Sequence, residues 1–210
     1  MNKLNIIEKI PINLPEKEIF SRLKYNIHKS VIDDDAKKRI ISKIKEGFSI
    51  CEPKGAWIRE KIFSIEDDSV IFENGIVLKS KSIKELLIKS NSAIFLFTTM
   101  GSKIVELIED LFQKGDGSSS VIYDAVASES ADAAMDWLNE YIRKELRRNA
   151  ESLTRMRFSP GYGDFLLENQ RCFFDLLNMK DFGIKLNEKY IFTPEKTVTA
   201  IIGIESNIKE

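Results

Sequence analysis

The chain has one histidine and two cysteines among 210 residues, and each shortage removes a class of chemistry. A Ser-His-Asp triad would have to take His28 as its base. That residue sits in Asn26-Ile27-His28-Lys29 with no Asp-x-His-x-x-Gly around it. Its expected place is the surface near a helix end. A zinc site built on His and Cys is equally poorly supplied. Cys51 and Cys172 stand far apart with no metal-ligand spacing and read as reduced thiols in a cytoplasmic protein, Cys172 lying in an apolar helical run expected to be core. An excess of one charge is also missing: the formal net charge is −1, which argues against a generally basic nucleic-acid binder. No run is long or apolar enough to span a bilayer, and Met1-Asn2-Lys3-Leu4-Asn5 lacks a signal peptide's hydrophobic core. The remaining chemistry belongs to a bound ligand or a partner.

What is present is an ordinary globular composition, 43% hydrophobic and 31% charged. At 24.1 kDa the chain fits one domain with a substantial core. It shows no internal repeat and no low-complexity linker, so residues 1–210 are read as a single unit. Apolar spacings of three and four predict helices over Glu16–Tyr25 and Asp34–Phe48, the second capped by Asp33 or Asp34. Trp57 to Leu78 switches to short β-type runs, with Glu73-Asn74-Gly75 as a hairpin turn. Ser82 and Glu85 have capping-box spacing for a short helix to Lys89. Ala93–Thr99 reads as a buried strand leading through Met100-Gly101-Ser102 into a helix with Ile104, Ile108, Leu111 and Phe112 inward. Gly101-Ser102 is either plain helix initiation or an anion cradle.

An exposed loop from Lys114 to Ser120 precedes a long amphipathic helix with Ala131, Met135, Leu138, Ile142 and Leu146 on one stripe. Phe165–Leu177 is helical again. Gly183–Leu186, Tyr190–Phe192 and Thr197–Ile204 are extended segments. Few regular β-α-β alternations occur, which favours α+β with a twisted antiparallel sheet flanked by helices.

One segment carries most of the functional content. Arg157-Phe-Ser-Pro-Gly-Tyr-Gly-Asp-Phe165 puts an arginine, a Ser-Pro-Gly turn and a tyrosine between two helical stretches. Pro160 fixes its own φ and biases Ser159 toward extended backbone. Arg suits a carboxylate bidentately, and Tyr offers a flat face with a polar tip. The segment is either a ligand site or a connection that turns a corner.

This segment, followed by Glu168-Asn-Gln170, resembles the activation (reactivation) domain of cobalamin-dependent methionine synthase. So do the tail Pro194-Glu-Lys196-Thr-Val-Thr-Ala200-Ile-Ile-Gly-Ile204 and, upstream, Phe97-Thr-Thr-Met-Gly101 and Asp124-Ala-Val-Ala-Ser-Glu-Ser-Ala-Asp132. The match is convincing over residues 92–204 and only suggestive over 1–91. It implies an S-adenosylmethionine-binding subunit that supports reductive methylation of cobalamin on a methionine synthase or corrinoid protein. A flavodoxin- or ferredoxin-type reductant would supply the electron. The resemblance places Arg157 on the ligand's carboxylate and Tyr162 in the pocket wall. Ser159 and Gly161 enter through the backbone, and Glu151 and Asp132 as ligand-facing acids. With no cobalamin module, zinc site or folate barrel in these residues, a stand-alone form is expected. Longer family members continue into a segment with further aromatic contacts, so the other reading is an interaction subunit that no longer binds S-adenosylmethionine.

Overall fold

The computed structural model describes residues 3–24 and 34–206; His28 and Asp33, one of the two caps expected for the second helix, lie outside them, and Asp34 is the first residue of that helix. The chain begins with β1 (Asn5–Ile7), α1 (Glu16–Arg22) and α2 (Asp34–Ile50). Strands β2 (Lys54–Ile65), β3 (Ser69–Phe72) and β4 (Val77–Lys79) follow, then α3 (Lys81–Leu87) and β5 (Ser92–Thr99). Next come α4 (Ser102–Gln113), α5 (Gly117–Arg147) and β6 (Glu151–Leu153). The last elements are α6 (Gln170–Leu176), β7 (Lys185–Leu186), β8 (Phe192–Thr193) and β9 (Thr197–Ser206).

An antiparallel sheet runs in the order β4-β3-β2-β5-β9-β6, with β1 paired to the first half of β2. Every residue of β5 is buried, because its alternate side chains serve two cores. Phe95 and Phe97 face Phe72 and Phe173, with ring centroids 5.2 Å apart for Phe72–Phe95 and 5.1 Å for Phe95–Phe173. Ile94 and Leu96 face Met135, Leu138 and Ile142 of α5. The sheet is thus covered by α5 on one face and by α3 and α6 on the other. Helix α2 reaches α5 closely because Gly47 has no side chain: a Cβ there would lie 2.6 Å from the Tyr123 ring.

The α+β class, the buried central strand and the stripe on α5 agree with the sequence reading. The turn at Glu73–Gly75 does too, with Gly75 at φ +87° and Asn74 Oδ1 accepting from Ile76 N–H at 3.1 Å. Other expectations are corrected. Ser80, not Ser82, caps α3, its hydroxyl accepting from Ile83 N–H at 3.1 Å. Phe112 points outward at 73% exposure, because α4 tilts only its Ile104 side fully into the core. Asp116 starts α5 by accepting from Ser119 N–H, so Ser119 and Ser120 are buried in a helix rather than exposed in a loop. Leu166 is extended (ψ 147°), so the helix expected from Phe165 begins instead as a short 3-10 turn at Leu167–Asn169. Cys172 is half-buried at the margin of the aromatic core. Both cysteines are free thiols, and burial pushes Cys51 up to about 11 and Cys172 up to about 12.

Candidate functional site

The Pro-Gly segment is held at its two ends and along its length. Phe158 exchanges backbone hydrogen bonds with Ile201 of β9, at 2.9 and 2.8 Å. Phe165 is fully buried, 6.3 Å from Phe173 by ring centroids. Between them Asp164 reaches the start of α3, accepting from Lys81 N–H at 2.6 Å and from the Ser80 hydroxyl at 2.9 Å. Hydrogen bonding from Ser82, then from Ser80 and the Lys81 and Ser82 amides, holds this carboxyl down at about 2. Gly161 makes the tight return possible: at φ +96° it donates its N–H to Phe165 O at 2.7 Å.

The segment so fixed walls a cavity of about 590 Å³, within the ordinary range for small-molecule sites. Residues 156–160 with Tyr162 and Gly163 line one side, Arg157 and Ser159 among them. Asp132 of α5, Gln170 of α6 and Thr197 to Thr199 of β9 supply the rest. Tyr162 is 70% exposed at the rim, so it is not core packing. Arg157 donates from Nη1 to Asp136 at 2.7 Å. Asp136 is one helical turn beyond Asp132, so both acids lie on the same side of α5. Enclosure in the cavity raises the Asp132 carboxyl above its usual value, with Glu129 and Asp136 pushing the same way and Arg22 and Arg157 opposing. A cation bound beside Asp132 would relieve that cost.

Of the residues expected at a site, Arg157, Ser159, Tyr162 and Asp132 line one cavity, and Gly161 makes the turn of the same segment without lining it. Glu151 does not line it. Both its carboxylate oxygens are taken by Arg59, at 2.7 and 2.8 Å, and Arg59 Nε also donates to Ser92. Arg157 and Glu151 therefore have separate partners, Asp136 and Arg59. Sequence reasoning missed Gln170, Thr197, Thr199 and Asp136. Asp136 had a legible signal in its four-residue spacing from Asp132, and Gln170, Thr197 and Thr199 had one in standing within the segments that carry the resemblance.

The Gly101 turn is plain helix initiation. Glu52 crowds the place an anion would take, its Oε2 lying 3.3 Å from where a Gly101 Cβ would be. Its other oxygen accepts from Lys103 at 2.6 Å. Among the described residues no group of His, Cys, Asp and Glu is arranged to hold a metal, and no helix is long and apolar enough to cross a membrane.

Comparison with known proteins fits this architecture. A family model for the activation domain of vitamin B12 dependent methionine synthase matches residues 83–209. Among solved structures, the crystal structure of the MetH reactivation domain bound to AdoHcy is similar at a TM-score of 0.67 and 14% identity. The similarity covers 98% of this chain and 82% of that one, so the shared fold takes in the N-terminal residues outside the family match. No curated protein matches. The matched residues, which carry the Pro-Gly segment, strands β5 and β9 and the long helix, make up more than half of the sequence, and the chain belongs to the family of vitamin B12 dependent methionine synthase activation domains.

Proposed function

We propose that this chain binds S-adenosylmethionine and supports the reductive methylation that reactivates cobalamin on a methionine synthase or corrinoid methyltransferase. The observation that carries the reading is convergence. A guanidinium, a carboxylate, a phenol and an amide from three separate parts of the chain meet at one ligand-sized cavity that includes the family's own motif. When bound, S-adenosylmethionine supplies a transferable methyl on a sulfonium. The protein's part is to hold and present it. Arg157 pairs with the ligand carboxylate, and Asp132 faces its positive charge. Ser159 and Gly161 shape the backbone wall, and Tyr162 covers the open side. The electron comes from a flavodoxin- or ferredoxin-type reductant, and the cobalamin from the partner.

The test is calorimetric titration with S-adenosylmethionine. Wild type should bind, and Arg157→Ala should lose a charge-assisted pair worth roughly 1.5–3 kcal/mol, more than tenfold in affinity. Absence of wild-type binding at millimolar ligand defeats this reading. The second reading, an interaction subunit that no longer holds the ligand, would then gain. One observation favours it: the guanidinium that should receive a carboxylate is paired with Asp136.

A further inference from the structure

Two walls of the cavity come from elements far apart in sequence, and one side chain ties them together. Asp132 of α5 and Thr197 to Thr199 of β9 line the same space. Lys196, the residue before β9, reaches across to α5. Its Nζ donates to Asp124 Oδ1 at 2.6 Å and to Ser128 Oγ at 2.9 Å. The lysine side chain is only 17% exposed, so most of it is enclosed between strand and helix. Asp124, Ser128 and Asp132 follow one another at four-residue spacing, along one face of α5. Lys196 therefore grips the face that carries Asp132.

The strand end of this bridge is itself anchored. Lys196 O accepts from Met100 N–H at 3.0 Å. The Thr197 hydroxyl donates its one hydrogen to Pro194 O at 2.8 Å, so it accepts from Thr99 at 2.9 Å. The entry to β9 is thus fixed to the end of β5. Apolar contact across the same gap is made by Val198, against a cluster that includes Ala127, Ala131 and Ala134. Methyl groups offer few contacts to fix a spacing. The lysine bridge supplies what they do not.

Resting on the S-adenosylmethionine reading, we infer that Lys196 is a positioning residue. Through Asp124 and Ser128 it sets where Asp132 stands relative to β9, and with it the preference of the cavity for a sulfonium over an uncharged sulfur. Attraction between a carboxylate and a cation depends on their separation. The thioether of S-adenosylhomocysteine has no such attraction at its sulfur.

Charge alone makes a different prediction. Removing a lysine near the site of a cationic ligand strengthens binding, and removing an aspartate weakens it. Positioning predicts that both weaken it. The experiment titrates wild type, Lys196→Met and Asp124→Ala with S-adenosylmethionine and S-adenosylhomocysteine by calorimetry, with melting temperatures measured alongside. Each variant should lose about three- to fivefold in affinity for S-adenosylmethionine and less than about twofold for S-adenosylhomocysteine. Opposite signs in the two variants overturn the assignment in favour of a plain charge effect. Equal losses for both ligands with lower melting temperatures overturn it in favour of a structural role. Wild-type affinities in both variants show that packing sets the spacing, and overturn it too. Failure of wild type to bind either ligand removes the functional reading and this inference together, an outcome read before any variant is compared.

Discussion

Arg157 has competing partners for one guanidinium. In the structure it is Asp136, itself largely exposed, and an exposed pair of this kind is worth about 0.2–1 kcal/mol. On the proposed function a ligand carboxylate has to displace it. Asp136→Asn should therefore strengthen S-adenosylmethionine binding by roughly two- to fivefold; weaker binding would make Asp136 part of the ligand's own contacts. Asp132 predicts a pH effect of defined sign. Its carboxyl lies above its usual value, so protonation removes the negative charge at a higher pH than for an ordinary aspartate near 3.9. Affinity for the cationic ligand should fall as pH drops through that raised value. Affinity for uncharged-sulfur S-adenosylhomocysteine should fall less. Parallel titrations of both ligands between pH 7 and 4 check this, and identical profiles would detach Asp132 from the sulfonium.

Elements were legible where a single period governed a long stretch. The α5 stripe from Ala131 to Leu146 and the apolar run of β5 were plain, because burial against one or two packed faces leaves a regular pattern. Local caps were less so. Ser82-x-x-Glu85 has the right spacing, yet Ser80 is the cap because Asp164, remote in sequence, holds the Ser80 hydroxyl and the next two amides. The site followed the same division. Arg157, Ser159 and Tyr162 came together because one short segment carries them. Glu151 departed because its partner, Arg59, comes from β2, and strand order is not written in the local sequence.

Two outcomes follow from these long-range contacts. Arg59→Ala strands a mostly buried carboxylate and should cost about 1–2 kcal/mol, read by denaturant melting, with ligand affinity unchanged. A loss of affinity without loss of stability would return Glu151 to the ligand. The Asp164 clamp bears on acid stability. Its folded value, about 2, lies below the unfolded value near 3.9. Its stabilisation is therefore complete above about pH 4 and is lost as pH falls toward 2. Asp164→Asn should flatten the melting-temperature curve across that window and loosen the Pro-Gly segment at neutral pH; a curve parallel to wild type would show the clamp to be inert.

At the scale of the whole molecule, charge is nearly balanced at −1, so local clusters decide any steering of a partner. Arg143, Lys144, Arg147 and Arg148 gather at the end of α5, with Arg155 beyond it. Arg143 and Arg148 are paired with Glu140 and Glu145. The cluster is either an ordinary helix end, where cations favour the dipole, or a landing place for an acidic redox carrier. Reactivation by reduced flavodoxin should slow in Arg147→Glu/Arg148→Glu at low salt, with the difference fading as the Debye length shrinks to about 8 Å. Equal rates at low salt would leave these residues as surface charge.

The pairing of β5 with β9 also sets a schedule for synthesis. Ser92 is matched with Ile204 and Thr99 with Thr197, so β5 leaves the ribosome on the order of a hundred residues before the strand that completes its second edge. At translation rates of roughly 5–20 residues per second, that strand waits about 5–20 s with one edge unpaired. Such an edge is a template for foreign strands. A nascent chain stalled before Lys196 should therefore engage chaperones more strongly than one stalled after its whole sheet has emerged.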